Sequence, residues 1–265
     1  MAYAAAMDTL HIARRDVLIA ASLLLARPAA AAPERLSPIV ELRQYTCHKG
    51  GRDKLTALFE REFIAPQDAL GARVIGIFRD EDDPDRFVWL RGFESMAARK
   101  AALTAFYGGP VWKAHNREAN ATMLDSDNVL LLHPSPAGGG FAPSAGGAAG
   151  DVMAFIHYLD DGLLAPFAAN FETRMRPHVA AAGATVLAAF ASETSENTFP
   201  ALPVRARDRV FVWFARAPRG GGARFLQAWR ARTGWRDGAP EALLPAFMRK
   251  PEVLRLQPTA KSPLR

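Results

Sequence analysis

Apolar and polar positions alternate, switch to a helical spacing, and alternate again through residues 38–133, in an order that defines a fold. "IVELRQYTC" alternates as a half-buried strand does. "GRDKLTALFEREFI" then sets Leu55, Leu58, Phe59 and Phe63 on one helical face, and Pro66 predicts its end. "ARVIGIFRD" and "DRFVWLRGF" are two strands joined by the acidic, Pro-containing turn "EDDPD". "ESMAARKAALTAFYGG" is an Ala-rich helix that stops at Gly108, Pro110 starts a short helix, and "NVLLLHP" is a last strand. The order strand–helix–strand–strand–helix–strand is that of a ferredoxin-like unit.

The unit occurs twice. Phe59/Phe171, Glu60/Glu172, Gly71/Gly183, Ala72/Ala184, Val74/Val186 and Phe78/Phe190 coincide at a constant offset, and "FVW" at 87–89 returns at 211–213 after a longer connection in the second half. Identities in one order across two halves indicate an internal duplication. The Gly/Ala/Pro-rich stretch 134–150 reads as a linker, 151–258 as the second, divergent unit and 259–265 as a tail. The expected fold is α+β: two tandem ferredoxin-like (βαββαβ) units, their sheets stacked into a barrel like that of the dimeric α+β barrel proteins. The alternative is that each unit pairs with another chain, as in a homodimer.

Residues 1–32 read as an export signal. Arg14-Arg15 precede an apolar run from Val17 to Ala26 and a small-residue end at Ala29–Ala32, a pattern resembling a twin-arginine leader. The run is shorter than the ~20 residues that span a bilayer, so the expectation is a periplasmic or secreted protein with no stable membrane insertion after removal of the signal. Net charge is +6, but positive residues are interspersed with acids in no basic stripe, which argues against nucleic acid as a partner. Cys47 is the single cysteine, so neither an internal disulfide nor a thiolate metal cage is available. His157, His178 and Asp160-Asp161 are too scattered for a metal site, and no phosphate-cradling or dinucleotide motif occurs. No cofactor or metal is expected.

"ELRQYT", "LGARVIGIFRDEDDPDRFVWLRGF" and "AFYGGPVWKAHNREANATMLDSDNVLLL" together resemble the NIPSNAP family over about residues 39–133. The resemblance implies the dimeric α+β barrel fold. It implies no reaction, because the bacterial members lack an assigned one. The export signal, the linker and the divergent second half depart from a single-unit member.

Strand alternation then selects candidate site residues. Glu41, Arg43 and Tyr45 share one face of their strand, with Val40 and Leu42 opposite; Trp89 and Arg91 share a face with Phe87, with Val88 and Leu90 opposite. If the apolar faces meet the helices, Glu41, Arg43, Tyr45, Trp89 and Arg91 line a pocket between the sheets. Two Arg, a Tyr and a Trp would suit a small anionic or aromatic organic ligand. Tyr107, Trp112 and Asn116 would complete it. His115 at its rim and Tyr45 are the candidate catalytic groups for the cofactor-independent oxygenase or isomerase chemistry known among α+β barrel proteins. The rival expectation is a non-catalytic interaction module docking through the Trp112/His115 helix surface. The residues leave open whether any catalysis occurs.

Overall fold

The computed structural model of the chain describes residues 37–135, 139–142, 149–160, 162–232, 234–236 and 239–265. The leader read at 1–32 and much of the 134–150 linker lie outside them. The first half runs β1 (Ile39–Cys47), α1 (Gly51–Leu58), a π turn (Phe59–Phe63), α2 (Ile64–Ala69), β2 (Arg73–Asp80), β3 (Arg86–Phe93), α3 (Met96–Gly108), α4 (Pro110–Asn120) and β4 (Met123–Pro134). The second runs β5 (Gly150–Tyr158), α5 (Leu164–Asn170), a π turn (Phe171–Met175), α6 (Arg176–Ala181), β6 (Thr185–Ser192), β7 (Val210–Pro218), α7 (Gly222–Arg230), a small ribbon of β8 (Trp235–Arg236) and β9 (Ala239–Pro240), a 3₁₀ turn (Glu241–Ala246) and β10 (Glu252–Pro258).

The helix expected to stop at Pro66 continues to Ala69. Proline normally breaks a helix by removing one hydrogen bond and clashing with the carbonyl four residues back. Here the π turn just before it shifts the hydrogen-bond register, and the chain coils on. The second half repeats the device, with Pro177 entering α6 straight after its own π turn. Gly71 and Gly183, paired in the repeat, close the two helical segments at φ of 82° and 89°, a left-handed conformation that glycine adopts at little cost.

Two four-stranded sheets, in the orders β4-β1-β3-β2 and β10-β5-β7-β6, close into one barrel. The seams are antiparallel: β10 joins β2 through Leu256 opposite Asp80, and β4 joins β6 through Leu132 opposite Ser192. The barrel is therefore formed within one chain, as the stacked-unit expectation required. Its interior is apolar and comes from both halves, with Val40, Leu42, Val88 and Leu90 meeting Val152, Ile156, Val212 and Phe214.

That arrangement corrects the face assignment made from the strand pattern. Val40, Leu42, Val88 and Leu90 point into the barrel, so Glu41, Arg43, Tyr45, Trp89 and Arg91 lie under the helices and not between the sheets. The apolar faces satisfy each other across the barrel. The mixed face is sealed by aromatic side chains from the helices, among them Phe59, Phe63 and Phe106 packed on Tyr45, Phe87 and Trp89.

The matching face of the second half is packed with buried aromatic rings. Phe155 stacks on Trp213 with ring centroids 3.9 Å apart and planes 4° from parallel, and Trp213 Nε1 donates to His157 Nε2 at 3.0 Å. Burial holds the His157 imidazole down to about 3. Because its native pKa lies below the ordinary 6.5, His157 favours the folded state fully above pH 6.5, and that contribution is lost as pH falls toward 3. Each pH unit in that window should cost up to ~1.4 kcal/mol. Urea unfolding at stepped pH should show this slope in the wild type and a shallower one in His157→Leu.

Candidate ligand-binding site

The first half holds a cavity of about 90 Å³ between its sheet and its helices. Tyr45 and Trp89 form the floor, both almost wholly buried. The π turn contributes Phe59, whose ring meets Trp89 at 4.7 Å, and Phe63, which meets Phe106 of α3 at 5.7 Å. Tyr107 and Trp112, 4.8 Å apart and half-buried, stand on the helix side. Larger depressions of about 570 and 350 Å³ elsewhere mix Arg and Asp with apolar groups such as Leu226, Val253, Leu159 and Met248, without an aromatic enclosure.

Aromatic walls enclose few polar groups, and two of these are fixed in useful ways. Arg43 Nε donates to Tyr45 Oη at 2.7 Å, and the guanidinium lies 5.3 Å from the Tyr45 ring. Burial, with Tyr107 adding to it, raises the Tyr45 pKa above its usual value despite the nearby Arg43 and Arg91. Tyr45 is thus a neutral phenol at pH 7. With one lone pair already taken by Arg43, its own proton remains for an acceptor. Trp89 Nε1 is buried and has no hydrogen-bond partner. A buried donor without a partner costs about 1–3 kcal/mol, so it marks a place where a ligand oxygen would be welcome.

Behind Tyr45 lies an ion cluster. Glu41 Oε2 accepts from Arg43 Nη1 and from Arg91 Nε, each at 2.7 Å, and Glu41 Oε1 accepts from Arg99 Nε at 2.6 Å. All four side chains are essentially inaccessible. Burial alone would raise the Glu41 pKa, but Arg91, Arg43 and Arg99 outweigh it and hold the carboxyl far below the usual carboxylate range.

Of the residues expected at the site, Tyr45, Trp89, Tyr107 and Trp112 line the cavity, while Arg43, Glu41 and Arg91 stand behind its floor. His115 and Asn116 do not line it. His115 lies on the outer side of α4, with Nε2 3.6 Å from Glu62 and Nδ1 3.9 Å from Glu118, and Asn116 donates to the Lys113 carbonyl of its own helix. Their neighbour Trp112 turns inward because Phe63, Phe106 and Tyr107 give its ring an apolar seat. Cys47 is buried, and burial, with Asp85 nearby, pushes its thiol up to about 11, well away from a reactive thiolate.

Sequence reasoning missed Gln67, Asn120, Arg99 and Leu202. Arg99 had a usable signal, since it shares the helical face of Ala102, Leu103 and Phe106 and a lone arginine on a buried face demands a partner. Leu202 comes from the long β6–β7 connection, which reaches across to the first half. There Phe199 stacks on Tyr107, Thr198 Oγ1 donates to the Met96 carbonyl, and Asn197 Oδ1 accepts from Arg99.

The model of the NIPSNAP family matches residues 40–136. These residues are a NIPSNAP domain. All of the described cavity-lining residues except Leu202 lie inside it. Among solved structures, a "putative monooxygenase" from Lactobacillus acidophilus is 14% identical over 86% of this chain and 97% of that one, with a TM-score of 0.53. An anthrone oxidase-like protein is 12% identical over 87% of this chain and 94% of that one, with a TM-score of 0.55. Both share the dimeric α+β barrel fold. A NIPSNAP-like domain protein from Burkholderia xenovorans is 28% identical over 40% of this chain and 89% of that one, with a TM-score of 0.35. No curated protein matches the chain. Beyond the NIPSNAP domain, the second half supplies the opposite sheet of the barrel and the loop that carries Leu202. No group of three or more His, Cys, Asp or Glu placed to hold a metal ion occurs among the described residues, nor any helix long and apolar enough to cross a membrane.

Proposed function

We propose that the cavity of the NIPSNAP domain binds one planar aromatic compound carrying a hydroxyl or carbonyl oxygen and stabilises its anionic form. The observation that carries this reading is the pair of donors in an aromatic enclosure: the Tyr45 hydroxyl, held by Arg43, and the unpartnered indole N–H of Trp89. Two donors aimed at a developing oxyanion stabilise it most where water is excluded. Three buried guanidiniums against one carboxylate add a surplus of positive charge behind the phenol. The cavity falls short of the ~150 Å³ known to admit benzene, so a ring enters by displacing wall residues. Of the aromatic wall residues, Tyr107 and Trp112 are the half-buried ones and have room to move.

An enolate or phenolate is electron-rich enough to react with dioxygen directly. Oxidation of an activated methylene to a carbonyl then balances without an external reductant: one oxygen atom ends on carbon and the other leaves as water with the two hydrogens. The names of the two larger structural neighbours support chemistry of this kind. The rival docking reading has less support, because Trp112, its aromatic anchor, is engaged in the cavity wall.

Titration of the full chain with 1-naphthol or anthrone should red-shift the ligand's absorption as it ionises, and oxygen uptake should follow with anthrone. Tyr45→Phe should weaken binding by about tenfold or more, the worth of a hydrogen bond to a charged group. Absence of any spectral shift with wild-type protein would refute the reading. Binding without oxygen uptake would reduce it to a carrier. The reading includes export through the N-terminal leader, which N-terminal sequencing of the protein recovered from a periplasmic fraction would test.

A further inference from the structure

The ion cluster behind the cavity is incompletely neutralised in a patterned way. Arg91 and Arg99 grip opposite oxygens of Glu41 through Nε. Each then gives Nη1 to an amide oxygen, Arg91 to Gln67 at 3.0 Å and Arg99 to Asn197 at 2.9 Å. Those amides are themselves fixed, Gln67 Nε2 on the Phe63 carbonyl and Asn197 Nδ2 on the Leu202 carbonyl. In both guanidiniums the one group left over is Nη2, buried and without a hydrogen-bond partner. Among the described ion pairs of Arg43, Arg91 and Arg99, Glu41 is the only carboxylate, which leaves two positive charges in excess. Buried charges persist when they are paired.

The fold does not require this cluster. Strand register sets Glu41 opposite Arg91 in the first half and Met153 opposite Ala215 at the matching place in the second. Val179 stands where the repeat offset puts Gln67. The same architecture, in the same chain, is thus built there with an apolar core.

We infer that Arg91 and Arg99 bind a small monoanion of the carboxylate class through their two Nη2 groups, beside the Asn197 amide that holds Arg99. Gln67 and Leu202, whose side chain and carbonyl hold the two guanidinium–amide arms, also line the aromatic cavity. The anion is therefore either a free small carboxylate or the acid group of the cavity's own ligand.

Calorimetric titration of the full chain with sodium acetate, in a chloride-free buffer, tests the site without any aromatic ring. One saturable site per chain is expected, weakened about tenfold or more in Arg99→Met, since charge-assisted bonds dominate such a site. Asn197→Asp lies on the loop and spares the core. It supplies a carboxylate in place and should abolish the acetate response while raising Tm. Benzoate binding more than tenfold tighter than acetate would assign the carboxylate to a ring-bearing ligand; equal affinities would assign a free anion. No saturable acetate or benzoate binding, or binding unchanged in both variants, overturns the inference. The neutral probe 1-naphthol reports on the cavity separately, so the failure of one reading is distinguishable from failure of the other.

Discussion

Replacing Glu41 by glutamine should destabilise the protein by about 3–5 kcal/mol, the usual cost of removing one partner from a buried ion pair. Three guanidiniums depend on that carboxylate, and none of them reaches water. Glutamine keeps the size and one acceptor oxygen, so the loss reports charge and not volume. The pH dependence provides a second check. Glu41's native pKa is depressed, so its contribution is complete above its ordinary value of 4.5 and disappears only as the pH falls toward the lower native value. Urea unfolding should therefore show an acid limb in the wild type that is flattened in Glu41→Gln. A loss below about 1 kcal/mol at pH 7, the range of an exposed ion pair, would mean that Glu41 does not hold the cluster together.

Trp213→Ala should be of similar size, about 3–5 kcal/mol, for a different reason. Trp213 is fully buried, stacks on Phe155, packs against Phe171 and Trp229, and donates to His157. Its removal opens a cavity among rigid rings and strips the imidazole of its partner. At the equivalent position, Trp89→Phe should cost much less stability, because no hydrogen bond is lost and empty space already adjoins the ring. It should cost ligand affinity instead. Chemical denaturation of the two variants, side by side, separates a packing tryptophan from a cavity-lining one; equal losses would undo the distinction.

The contrast shows what sequence pattern carries. Alternation in "IVELRQYTC" and "RFVWLRG" correctly grouped Glu41 with Arg43 and Tyr45, and Trp89 with Arg91. It did not say which group turned inward. Both faces of these strands are buried, one by the other sheet and one by helices, so hydrophobicity alone leaves the direction undetermined. The duplication was legible because Phe59/Phe171 and Gly71/Gly183 serve the same π turn and the same helix end in both halves. Gln67 and Asn197 were illegible for a plainer reason. Each is a polar residue whose role is set by an arginine distant in the chain, 24 residues away for Gln67 and 98 for Asn197. His115 misled because residue type suggests proton transfer, whereas its helix turns it toward Glu62 and Glu118.

Closing the barrel within a single chain has a consequence for stoichiometry. A barrel made from two identical subunits must build both helix-covered faces alike, so any site comes in pairs and any loop that crosses the seam does so twice. Here one polypeptide joins unequal halves, and the β6–β7 connection lends Asn197 and Leu202 to one face with no counterpart owed to the other. One face holds the aromatic cavity while its twin is packed with rings, and under the proposed function the expected ratio is one ligand per chain.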